Sequence, residues 1–113
     1  MAANKTPPAP VFNRMDFAEI EALKRTISVR HGGTAYFVGV EPIRETADGG
    51  AARNCMVCVF NLTGNVTAVR AYAWAEQLGD GPNQRLVSFL HSGSIRSPRD
   101  AVRAAIAGGG EPR

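Results

Sequence analysis

The stretch from Asn54 to Glu76 constrains the fold more than any other. Two runs rich in β-forming residues, Asn54 to Leu62 and Val66 to Glu76, flank Thr63, Gly64 and Asn65. That pattern predicts a β-hairpin with a tight, glycine-bearing connection. The first run is apolar at every position from Cys55 to Phe60, as a strand covered on both sides requires. A chain built on this hairpin must assemble a sheet around it.

In the second run the alternation of side chains carries information. One face presents Thr67, Val69, Ala71, Ala73 and Ala75, and the other Val66, Ala68, Arg70, Tyr72, Trp74 and Glu76. The small-residue face admits a closely packed helix. The Arg-Tyr-Trp face is then expected to be exposed or half exposed.

Both flanks extend the pattern. A helix is predicted from Asn13 as N-cap, with Asp16 at N3 and Phe12 placed to staple against Phe17, running to about Thr26. Phe17, Ile20, Leu23 and Ile27 supply its apolar stripe, and Glu21 and Arg25 form an i,i+4 pair on another face. His31, Gly32 and Gly33 end it and release a strand from Thr34 to Val40, which Pro42 keeps away from the sheet centre. A turn at Asp48, Gly49 and Gly50 joins this strand to the next, and another from Gly79 to Asn83 leads to a fourth strand from Gln84 to His91. Ser97, Pro98 and Asp100 write the start of a second helix, with Val102, Ala105 and Ile106 as its stripe and Gly108 to Gly110 as its end.

The predicted class is therefore α+β: an N-terminal helix, a four-stranded antiparallel meander and a C-terminal helix. Residues 1–11 read as a flexible proline-rich arm, 12–108 as one α+β domain and 109–113 as a frayed tail. Two short helices are expected to cover one face of the sheet, leaving the other wet, paired with a second subunit or used for binding.

The chain has 113 residues, 44% hydrophobic and 20% charged, which suits a soluble globular fold. No apolar run reaches the roughly 18 residues that span a bilayer, and the N-terminus has no secretory h-region. The expected setting is cytoplasmic, without a membrane partner. Net charge is only +3, yet 11 of the 13 basic residues are Arg, which favours bidentate contacts to phosphate or carboxylate.

Catalytic signatures are weak. Cys55 and Cys58 form a CxxC string, but i and i+3 in a strand face opposite ways, so a shared metal or a disulfide is disfavoured. His31 with Gly32 and Gly33 lacks a nucleophile elbow, and His91 beside Ser92 is adjacency in sequence only. Glu41, Glu45 and Asp48 form no obvious acid and base pair. The triplets beginning at Asn61 and Asn65 read as turn chemistry rather than glycosylation sites. The reading leans away from an enzyme, with no catalytic residue, metal or cofactor assigned.

Arg70, Tyr72 and Trp74 make the most suggestive set. Aromatic planes and guanidiniums on a sheet can stack unpaired bases and track phosphates. Arg85 on the neighbouring strand extends the surface, and Arg96, Arg99 and Arg103 add a basic strip at the start of the last helix. The competing reading places Tyr72 and Trp74 in the core and leaves Arg99 and Arg103 as a solvated helix face. In element order, the meander followed by a helix is similar to the repeat of whirly-type single-stranded DNA binders, and helix, strands, helix is similar to double-stranded RNA-binding domains. Both similarities are topological and assign no residues.

The expectation is a non-enzymatic, homodimeric binding module for single-stranded or structured nucleic acid, using Arg70, Tyr72, Trp74, Arg85, Arg96, Arg99 and Arg103. The alternative is a protein-interaction module, a small inhibitor or adaptor of the kind mobile elements encode, using the same surface.

Overall fold

A computed structural model describes residues 16–46, 52–77 and 84–108. Its elements are α1 (Phe17–His31), β1 (Thr34–Thr46), β2 (Ala52–Thr63), β3 (Arg70–Gln77), β4 (Gln84–Leu90) and α2 (Pro98–Gly108). The strands form one antiparallel sheet in the order β1-β2-β3-β4. This is the α+β meander between two helices that the pattern predicts. The arm of residues 1–11, the cap at Asn13, the turns at 48–50 and 79–83 and the tail of 109–113 fall outside the described residues.

α1 differs from expectation at both ends. Its N-cap is Asp16, which makes no side-chain capping bond, and Phe17 is solvent-facing, while Phe12, its expected staple partner, lies outside the described residues. Lys24, not Arg25, pairs with Glu21 at 3.3 Å. The helix also continues through Ile27 and Val29 to His31. β-branched residues disfavour helix only weakly, and the complete burial of Leu23 and Ile27 against the sheet outweighs that preference. Gly32, at φ 91°, ends it, and its N–H reaches back to Ser28 O at 3.0 Å.

The β2–β3 connection is longer than the tight turn expected. Residues 64–69 form a loop closed by Leu62 N–H donating to Val69 O at 2.8 Å, and β3 begins only at Arg70. Asn65 holds this loop. Its Oδ1 accepts from Thr67 N and Ala68 N at 2.8 and 2.9 Å, and its Nδ2 donates to His31 O and Gly32 O at 2.8 and 3.0 Å. One side chain thus organises the loop and ties it to the end of α1. Gly33 fits beneath: a Cβ there would stand 2.6 Å from Thr63 O, at a φ of 88°. Asn61, by contrast, lies inside β2, so its triplet is strand and not turn.

The helices do not share a face, contrary to expectation; one lies on each. α1 packs Leu23 and Ile27 on Ala35, Cys58, Phe60, Leu62, Ala71 and Ala73, where two alanines on β3 leave room for it. α2 packs Ala101, Val102 and Ala105 on the opposite face, against Ile43, Cys55, Val57, Tyr72, Trp74, Val87 and Phe89. Its own narrow stripe of small residues is filled out by the large rings of β3 and β4, with Trp74 stacked on Phe89 at 6.1 Å. The cap at its start forms in part: Asp100 N–H donates to Ser97 Oγ, but the Asp100 carboxylate accepts from Arg96 N–H at 3.0 Å, one residue before the Ser97 amide that a capping box would use.

β1 and β4 are the edges. Successive residues of an antiparallel pair alternate between bonding their partner and facing away. Counting from the Leu62–Val69 and Arg70–His91 bonds, Pro42 faces the free edge of β1 and Leu86 that of β4. Pro42 therefore removes no ladder bond, which is why β1 continues through it. An arginine sits on each edge: Arg30 of α1 donates to Leu86 O at 2.9 Å, and Arg99 of α2 to Arg44 O at 3.1 Å. Between Phe37 and Gly39 the register shifts by one residue, a bulge in β1.

Candidate functional site

The seven residues singled out by the sequence divide into three groups. Tyr72 and Trp74 do not stand on an open face; they are 2% and 1% exposed beneath α2. The reason is the placement of the helices, since α2 needs a surface of large side chains and the α1 face of β3 offers only alanines. Trp74 Nε1 donates to Glu76 Oε2 at 3.1 Å, and Tyr72 Oη lies 2.5 Å from His91 Nδ1. Burial raises the Tyr72 pKa, opposed by the charge and hydrogen bond of Arg70.

Arg85, Arg99 and Arg103 are engaged in ion pairs. Arg85 pairs with Glu76 at 2.7 Å beside Trp74. Arg99 and Arg103, one turn apart on α2, both hold Glu45 of β1, and their bonds pull its carboxyl below the ordinary value, the Arg99 bond foremost. The predicted basic strip is thus largely a clamp between α2 and β1. Arg70 and Arg96 remain exposed.

Those two border a surface that the sequence did not reveal. The side chains packed with α2 on this face reach as far as Tyr72 and the partly buried Val59, and the end of the same face beyond them is open. There Tyr36, Asn61 and Arg70 stand opposite one another on β1, β2 and β3, and all three are exposed, Tyr36 by 52%. A ring, an amide and a guanidinium so lie in one row across three strands. The next row, Gly39, Val59 and Tyr72, borders a cavity of about 310 Å³ whose far wall is the lead-in to α2 and its first residue, Arg96, Ser97 and Pro98. Glu41 lines it from β1 and Arg70 from β3. The available signal for Tyr36 was its odd-even phase relative to Phe37 and Ala35; which face stays uncovered depends on helix docking.

The remaining constellations do not converge. His31 meets Ser88 at 3.0 Å on the α1 side, whereas His91 meets Tyr72 on the α2 side. Ser88 is fully buried. Cys55 belongs to the α2 core and Cys58 to the α1 core, both as free thiols. Burial, with a smaller contribution from Glu19, pushes the Cys58 pKa up to about 12, so this thiol is not a nucleophile at neutral pH. Among the described residues no group of three His, Cys, Asp or Glu side chains is placed to hold a metal, and no helix is long and apolar enough to cross a membrane. Comparisons with protein-family models, with curated proteins and with solved structures return no match.

Proposed function

We propose that the chain is a binding module for single-stranded nucleic acid, read on the open end of the α2 face. The row of Tyr36, Asn61 and Arg70 carries this reading. An exposed ring offers a stacking plane to any base, an amide offers donors and acceptors to a base edge, and a guanidinium meets the phosphate between bases. Arg96 adds a second positive charge at the cavity rim. Tyr72 and Trp74 support the surface from beneath instead of forming it.

Fluorescence anisotropy of a labelled oligothymidine strand, titrated at low and moderate salt, tests the reading. Affinity should fall steeply with log salt. Arg70→Ala should flatten that slope by about one phosphate contact, and Tyr36→Ala should cost about 1–3 kcal/mol of binding. Binding that neither variant changes would dismiss this surface.

A second reading is favoured by the free edge of β1. Tyr36, Phe37 and Val38 are consecutive and 41–53% exposed, on the half of β1 that no arginine caps among the described residues. Such an edge accepts a further strand, from a protein partner or a second copy. Sedimentation across a concentration series tests the homodimer, and a dimer resistant to Phe37→Lys would exclude this edge.

A further inference from the structure

The cavity beside the row is lined by groups of opposite charge that do not satisfy one another. Glu41 projects from β1 and Arg70 from β3, on either side of β2, and both act on the Tyr72 hydroxyl. Neither forms an ion pair among the described residues. Between them the floor is Val59, with the nearly buried Tyr72 beside it. Above Gly39 there is open space, with no atom within 4 Å of where a Cβ would stand. The volume of about 310 Å³ lies at the small end of ligand pockets.

A flat floor between an acceptor wall and a donor wall suits a planar ring that donates on one edge and accepts on the next. A bare phosphate could meet Arg70 and Arg96 but would leave Glu41 facing a like charge, so a ligand that carries donors as well as acceptors uses the lining more fully. Among the bases, guanine alone places two donors, N1–H and the N2 amine, side by side for one carboxylate, with O6 and N7 adjacent for a guanidinium. Thymine offers a single donor, and adenine an amine without the second N–H.

Resting on the single-strand reading above, we infer that this cavity is a guanine pocket: Glu41 accepts from the N1 and N2 edge, Arg70, which meets a phosphate in an all-thymine strand, turns to donate to O6 and N7, and the base lies over Val59. The row of Tyr36 and Asn61 then carries the neighbouring nucleotide, and the lead-in to α2 closes the far side. The protein accordingly prefers single strands that contain guanine.

The test compares oligothymidine with the same strand bearing one central guanine, hypoxanthine or adenine. One guanine should raise affinity about tenfold or more, hypoxanthine, which lacks the N2 amine, should lose most of that gain, and adenine should show none. Glu41→Gln should abolish the gain while leaving the salt-dependent binding to oligothymidine in place. Gly39→Val should do the same by filling the pocket, and the open space above Gly39 means that its thermal melt should match that of the wild type. Equal affinity for the guanine and all-thymine strands, with binding intact, overturns the pocket and leaves the single-strand reading standing. No binding to any strand overturns both.

Discussion

Asn65 should be the most consequential side chain in the loops. It makes four hydrogen bonds, two that shape residues 65–68 and two that hold the end of α1. A hydrogen bond contributes a net of about 0.5–1.5 kcal/mol, and water can replace part of this set because the Thr67 amide is exposed. Asn65→Ala should therefore cost about 2–3 kcal/mol, a fall in melting temperature on the order of 10 °C. Asn65→Asp separates the two halves of the role. It keeps the acceptor for Thr67 and Ala68, but sets a carboxylate oxygen against the His31 and Gly32 carbonyls. That variant should be at least as unstable as Asn65→Ala at pH 7. Two carbonyls facing the new carboxyl favour its protonated form, which donates to one of them, so its deficit relative to the wild type should shrink as pH falls below about 5. Urea unfolding followed by Trp74 emission measures all three proteins, with the slope on denaturant expected to be unchanged. A cost below about 0.5 kcal/mol for Asn65→Ala, or wild-type stability for Asn65→Asp, would refute the view that these bonds join loop and helix.

Other expectations concern the core and the charges. Trp74, at 1% exposure, should emit in the blue-shifted range and resist acrylamide, and a spectrum like that of free indole would contradict its place under α2. Burial lowers the His31 pKa from its ordinary 6.5, helped by Arg30 and opposed by a bond to Ser88, so the folded state favours the neutral ring. The unfolded chain then binds more protons, and stability should decline as pH falls through and below 6.5; His31→Gln should flatten that part of the profile in pH-dependent melts. Glu45→Gln should loosen Arg99 and Arg103 and steepen the salt dependence of oligonucleotide binding, whereas an unchanged slope would mean that these arginines stay out of reach of the strand.

The strands were legible because their local signals agree. Period-two alternation, glycine turns and an apolar run on both faces of β2 all point to one sheet, and the meander order follows from short connections. Residues 66–69 alternate like a strand, but the bonds of Asn65 hold them in the loop, and a side chain reaching some thirty positions back is invisible to a window along the sequence. The length of α1 was hidden for a similar reason, because burial of Ile27 decides it. The site was half legible. Arg70 and Arg96 are where a ligand can meet them, but Tyr72 and Trp74 exchanged the expected platform for the core once α2 took their face. Tyr36 emerged as the exposed ring only because α2 stops short of it.

The sheet splits the interior into two compartments that share a backbone and no side chains. Leu23 and Ile27 never meet Val102 and Ala105, and even Cys55 and Cys58, three positions apart, answer to different neighbours. Substitutions in the two compartments should combine additively, since coupling passes chiefly between side chains in contact. A lineage carrying this fold can therefore repack the α1 side while the α2 side, with the surface at its end, drifts or is selected on its own schedule.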